Sequence, residues 1–338
     1  MLRTVMALGI GLLLLGSPGM GVGPQAAEEV VTLELAWIPY GMHAGIYTAL
    51  GRGLYKAAGV DLKVLPGRGG QGTIDKLVTG AAQFGLAGAG HVILARSKGA
   101  PVKAVAIYHP KGPEAILTLE KSGIRTPKDL EGRTIGSPAV SSAKLLFKAF
   151  ADATKIDQGR VKWEVMTGPA TVPSLLSGKI DAIATFTNFI PNIDKEAAKT
   201  GQKTVAIPFS EHGVDVYSNS VQTTDEIIAQ KPDLVRGFLR ATFQGVAIAI
   251  DDPKEGVEDL LKFNTTLDPV LSIQQWEITV AHMLTPEVLQ NGLGYISEEK
   301  MKRSRDILVK AYDVKDVPAV PDLYTNALLT KVLPKKRM

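Results

Sequence analysis

Trp37, Tyr40, His43 and Tyr47 crowd one short stretch of this chain. Trp and Tyr offer flat faces on which a planar molecule can stack, and with His they add hydrogen-bonding edges. The set suits the holding of a flat or apolar ligand. Trp37 and Tyr47 have a competing role as core residues that pack the next helix on its sheet, the commoner fate of aromatics. His43 is equally suited to hydrogen-bond its own loop. A second polar group lies in Thr134-Ile135-Gly136-Ser137-Pro138-Ala139-Val140-Ser141-Ser142. Here Ser141 or Ser142 is expected to cap a helix running to Phe150. The exposed amides of such a helix start bind anions or carbonyl oxygens, although plain capping accounts for the serines as well.

The elements that must position these residues alternate. Residues 33–64 read as an apolar strand, a proline-punctuated loop, a helix and a second strand opening at Gly59-Val60. The aromatic residues therefore fall at the carboxyl end of the first strand, the edge where open α/β sheets bind ligands. Further strands are expected at Thr32–Trp37, Asp61–Leu65, Gln83–Ala87, Val102–Ile107, Ala115–Leu119, Thr134–Gly136, Lys162–Val165, Ala182–Thr185 and Thr204–Ile207. Helices are expected at Thr73–Thr79, Ser141–Thr154 and Thr171–Leu176. Beyond about Thr223 the spacing turns mostly helical, as in Pro232–Ile250 and Glu298–Tyr312. This is a mixed α/β pattern. One unit recurs: Leu77-Val78-Thr79-Gly80 leads into Gln83–Ala87, and Leu175-Leu176-Ser177-Gly178 leads into Ile180–Ala184. Each reads as a helix ended by a left-handed glycine and turned into a buried strand, once in each of two lobes.

At 338 residues the length suggests two domains. Residues 1–27 carry one positive charge at Arg3, an apolar run from Val5 to Leu15 and then small residues. That is the pattern of a cleaved secretory leader, too short for a membrane-spanning helix. There is no cysteine, so neither a disulfide framework nor a lipid-attachment thiol is expected, and thiolate catalysis is excluded. The excess of basic residues includes a C-terminal run, Lys331, Lys335, Lys336 and Arg337, and shows no basic face with interleaved aromatics for nucleic acid. No G-x-S-x-G elbow, H-E-x-x-H pair or phosphate-binding loop occurs.

Several motifs, in order, resemble the NMT1-like periplasmic solute-binding proteins, the thiamine-pyrimidine group related to binders of taurine, alkanesulfonates and riboflavin. They are W-x-P-x-x-x-H-x-x-x-Y at Trp37, Pro39, His43 and Tyr47, then G-R-G-L-Y-K-A-A-G-V-D-L, Thr126–Gly136, the Leu-Leu-Ser-Gly-Lys-Ile-Asp-Ala turn at 175–182, Gly213–Tyr217, Lys231–Arg236 and Tyr324-Thr325-Asn326. The resemblance implies an α/β, type-II periplasmic-binding-protein fold of the Venus-flytrap kind. Lobe one is expected at 28–118 and 220–338, lobe two at 119–219, and the crossings near Thr118–Lys121 and Glu211–Ser220. The helical C-terminal part should pack on lobe one. The implied role is capture of a small, planar heterocyclic solute and its delivery to the permease of an ABC importer, by a periplasmic, unlipidated monomer without cofactor or metal. A sulfonate, a small carboxylate and riboflavin are the alternative solutes.

The ligand-binding residues expected on this footing come from both lobes. They are Trp37, Tyr40, His43 and Tyr47, then Gly70 and Gln71, then Gly88 and Ala89. Lobe two supplies Ser137, Ser141, Ser142, Thr185 and Asn188, and Glu211 and Asp215 lie near the second crossing. The rival class is an enzyme, because fungal pyrimidine synthases share the fold. They use a histidine with a cysteine-rich iron site, which a chain without cysteine cannot build.

Overall fold

The computed structural model describes residues 29–139 and 141–336, so the expected leader lies outside the described residues. Among the described residues, ten strands form two five-stranded sheets. The first contains β1 (Glu29–Leu35), β2 (Val60–Leu65), β3 (Phe84–Gly88), β4 (Val102–Ile107) and β10 (Asn219–Thr224), in the order β2-β1-β3-β10-β4. The second contains β5 (Glu114–Leu119), β6 (Thr134–Ser137), β7 (Lys162–Val165), β8 (Ala182–Phe186) and β9 (Thr204–Pro208), in the order β7-β6-β8-β5-β9. Within each sheet the first three strands of the order are parallel, and one strand enters antiparallel: β10 between β3 and β4, and β5 between β8 and β9.

Ten helices matter for the site. They are α1 (Ala44–Gly51), α2 (Gly70–Val78), α3 (Ala89–Arg96), α4 (Ser142–Thr154), α5 (Gly168–Leu176), α6 (Ile190–Ala197), α7 (Pro232–Asp251), α8 (Pro253–Phe263), α9 (Pro269–Met283) and α10 (Glu298–Tyr312). Proline stands at the first position of α7, α8 and α9, where its missing N–H leaves no bond unmade. The recurring unit of the sequence appears as α2–β3 and α5–β8, each turned by a left-handed glycine, Gly80 (φ 73) and Gly178 (φ 76). β3 and β8 occupy the same place in the two strand orders.

The chain passes between the sheets at 108–113 and returns at 209–218. This corrects the crossing expected near Thr118–Lys121. The segment Glu114–Leu119 is a fully buried strand paired on both sides within the second sheet, and the break is the His109-Pro110-Lys111-Gly112-Pro113 run before it. A second correction concerns β10, read only as the end of a crossing. Its Asn-Ser-Val-Gln-Thr-Thr sequence lacks apolar alternation, yet every residue is buried. Side-chain bonds make that tolerable: Gln222 donates to the Ala87 and Gly88 carbonyls, and Thr223 Oγ1 to the Gln83 carbonyl.

One core packs β1–β3 with α1 and α7 around Leu33, Leu35, Phe84, Phe238 and Phe243. A second core is shared between the lobes. It joins Ala89 and Ile93 of α3 to Phe147 and Phe150 of α4, with Met301 and Leu308 of α10 among them. The C-terminal helices therefore do not pack on lobe one alone: α10 lies against both α3 and α4.

Candidate functional site

The loop leaving β1 turns at a 3-10 helix, Gly41–His43, where His43 Nδ1 accepts the Tyr40 backbone N–H at 3.2 Å. His43 is buried, and burial depresses its pKa to about 3, so the imidazole is neutral at pH 7. Tyr40 is buried too, its ring 5.2 Å from Phe189 of the second lobe. Its phenol pKa is raised by burial and then by the Glu114 carboxylate. Trp37 stays half-buried. Its indole lies over Gly168, the first residue of α5, so closely that a Cβ on that glycine would stand 2.1 Å from Cζ2. Tyr47 is spent differently: it is buried in lobe one, its ring 5.6 Å from Phe263 of α8.

Other strand ends meet across the same boundary. Gly88 ends β3, and a Cβ there would lie 2.7 Å from Ser142 Oγ at the start of α4. Ala89, fully buried, donates its backbone N–H to the Ser218 carbonyl of the second crossing at 2.7 Å. Ser141 caps α4 by accepting the Lys144 N–H, and its Oγ is 2.9 Å from Ser137 Oγ. Gly70 starts α2 against the ring of His91, leaving no room for a Cβ. Gln71 is exposed and bonds Asp75 one turn on, and Glu211 is exposed in a 3-10 turn, so neither is drawn toward this boundary by a bond. Thr185, half-buried, pairs with Ala115 inside the second sheet.

Deeper in, polar groups from both lobes and both crossings converge on α9. Asn188 is fully buried; its Nδ2 donates to the Gln275 carbonyl at 3.2 Å and to Thr279 Oγ1. Gln275 also receives the Gly41 N–H and donates to Asn192, linking the β1 loop to the second lobe. Thr187 Oγ1 is 2.9 Å from His282 Nε2. Ser218 Oγ donates to Glu114 at 2.5 Å, joining the ends of the two crossings. Burial pushes that carboxyl up to about 7. His109 in the first crossing is wholly buried, and His282 sits 6.5 Å away, ring to ring. Burial lowers both, His282 to about 4, and all these imidazoles are neutral at pH 7. Asp215 instead pairs with Lys300 and Arg303, fastening the second crossing to α10.

Sequence reading missed His109, Glu114 and His282. A signal for the first two existed: a Pro- and Gly-rich break between two largely apolar strands marks a crossing, and crossings border the cleft. A surface groove of about 770 Å³ lies elsewhere, between α6 and α9, bordered by the Lys195–Asp268 ion pair. Tyr40, His109 and Asn188 do not line it. Among the described residues no group of three or more His, Asp or Glu is placed to hold a metal, and no helix is long and apolar enough to cross a membrane.

Known proteins share this fold. The alkanesulfonate-binding protein SsuA of Xanthomonas axonopodis pv. citri, solved with MOPS, superposes with a TM-score of 0.68 at 16% identity, covering 89% of this chain and all of that one. The fold is that of the periplasmic binding proteins. Relatives include the riboflavin-binding protein RibY of Chloroflexus aurantiacus, 24% identical over 89% of this chain and 86% of its own. The formylaminopyrimidine-binding protein of Halalkalibacterium halodurans is 26% identical over 70% and 71%. A 4-amino-5-hydroxymethyl-2-methylpyrimidine phosphate synthase of Legionella pneumophila is 27% identical over 69% and 73%. The NMT1/THI5-like family matches residues 41–256, well over half of the sequence, and the chain belongs to that family.

Proposed function

We propose that this chain is the periplasmic solute-binding component of an ABC importer, and that it closes two lobes on a small planar heterocycle. The observation that carries the reading is the seam between the lobes, where the half-buried Trp37 indole lies over Gly168 and Tyr40 over Phe189. An indole held by a strand end of one lobe against the backbone of the other is placed to stack on a flat ligand. The two crossings act as the hinge, and the leader-like residues 1–27 take the chain to the periplasm, where the solute passes to a permease. The names of the pyrimidine- and riboflavin-binding relatives support this solute class.

The synthase names among the relatives favour a second reading, an enzyme of pyrimidine synthesis. Against it stands the absence of any cysteine from the sequence, which leaves no means of building the cysteine-rich iron site that the resemblance gives the fungal synthases. The test is a thermal-shift screen of the chain lacking residues 1–27 against formylaminopyrimidine, riboflavin, MOPS and taurine. A solute at a hundred times its dissociation constant raises apparent stability by about 2.7 kcal/mol. Mass spectrometry of the recovered solute then separates the readings: a binding protein returns it unchanged, and a converted product overturns the proposal.

A further inference from the structure

His109 is wholly buried, and neither ring nitrogen has a hydrogen-bond partner. Its backbone is not free to turn the ring elsewhere: its N–H donates to the Asn219 carbonyl and its carbonyl accepts the Ser218 N–H, so the two crossings clamp it from the main chain. Two neighbouring groups share the condition. His282 has Nε2 on Thr187 but Nδ1 unpartnered, and Asn188 has its Oδ1 unpartnered. The Asn188 orientation is fixed, because the Gln275 carbonyl can only accept and so must face the amide nitrogen. Buried polar atoms without partners are rare and cost stability. Several gathered at the meeting of two lobes imply an absent molecule that completes them.

We propose that His109, His282 and Asn188 form the subsite that reads the hydrogen-bonding edge of the solute, and that the edge is uncharged and carries at least one N–H or O–H donor beside an acceptor, as an amino-substituted heterocycle does.

This rests on the solute-binding reading above and narrows it. A neutral imidazole brings one donor and one acceptor, and Asn188 Oδ1 brings only an acceptor. A sulfonate group or a nitrate has acceptors alone, so at this edge it would leave the Asn188 oxygen and one His109 nitrogen unmet. Lys111, half-exposed, adds a positive charge that helps to lower His282, but an ammonium brings donors and no acceptor, and the Asn188 oxygen and both His109 nitrogens stay unpartnered beside it. The subsite also adjoins the aromatic loop: Tyr108, the residue before His109, donates its hydroxyl to the Met42 carbonyl at 3.0 Å.

The test compares the unaltered chain with His109→Leu, using formylaminopyrimidine and methanesulfonate as probes, and reads melting temperature without solute as well as affinity. The expected result is affinity for the pyrimidine lowered about tenfold or more, with melting of the solute-free variant unchanged or raised, since the substitution removes two unmet polar atoms. Addition of the pyrimidine should also shift the imidazole nitrogen NMR resonances of His109 and His282. Tighter binding of methanesulfonate than of the pyrimidine overturns the donor requirement. A variant that melts several degrees lower yet keeps its affinity within about twofold shows His109 to be structural and overturns the subsite. If neither probe binds the unaltered chain, the solute reading fails for both classes. The subsite is then decided by melting alone, where a fall counts against it and no fall counts for it.

Discussion

Trp37 and Trp276 are two indoles in one protein with opposite surroundings, and they make a controlled pair. Trp276 has no exposed surface and donates Nε1–H to the Ala249 carbonyl at 2.7 Å. Trp37 stands half-buried at the seam between the lobes. Trp276→Ala should destabilise by about 3–5 kcal/mol, whereas Trp37→Ala should weaken solute binding by about 1–3 kcal/mol and melt much less early. Measuring melting and affinity on both variants checks this; equal losses of stability would place Trp37 in the core. Gly168 tests the same contact from the other lobe. Gly168→Ala sets a methyl 2.1 Å from the indole, so closure must shift one or the other. The expected outcome is affinity reduced by about 1–3 kcal/mol with each lobe still folded, read by titration calorimetry. Residue types announced this loop well, because aromatic residues crowded into a few positions are visible in any sequence. The buried His109 and His282 were not legible, since they lie 173 positions apart and only the packing of α9 on the first crossing brings them together.

Elements were readable wherever burial follows a period. Among the described residues, nine of the ten strands follow from short β-rich runs, and α5 and α2 from their glycine stops. β10 escaped because its polar side chains bond backbone in the middle of a sheet, a solution that three-dimensional contact alone reveals. The same logic displaced the first crossing by one strand: an all-buried strand looks alike whichever sheet receives it. At α4 the local code is simpler. Ser141 accepts the Lys144 N–H in an extended N-cap conformation. Ser141→Ala should therefore cost about 1 kcal/mol, read from the denaturant midpoint, while Ser142→Ala should leave that cap intact. A larger loss from Ser142 than from Ser141 would reassign the cap.

For the whole molecule, the buried titratable groups make a pH profile. Glu114 has a folded-state pKa of about 7 against an ordinary 4.5, so between those values the folded chain holds a proton the unfolded chain has released. Its contribution to stability falls as pH rises through that window. The histidines act in the opposite sense. His43 at about 3, His91 and His282 at about 4, and His109 below its ordinary value all refuse protons that the unfolded chain takes up below 6.5. Stability should climb between pH 4 and 6.5, each histidine adding up to about 1.4 kcal/mol per pH unit, and Glu114→Gln should steepen that climb. Denaturant midpoints from pH 4 to 8 check both; a flat profile below 6.5 would contradict the burial of these imidazoles.

The helix α10 has a mechanical consequence. It rests on α3 of one lobe and α4 of the other, its Tyr312 hydroxyl donates to the Leu145 carbonyl of α4, and Lys300 and Arg303 hold Asp215 of the second crossing. The two crossing segments alone would let the lobes swing apart freely, like a book on its spine. With α10 as a strut beside them, opening must slide one helix along another, a shear of packed side chains added to a rotation. The molecule then has a limited gape, set by how far Leu308 and Met301 travel before they lose their neighbours.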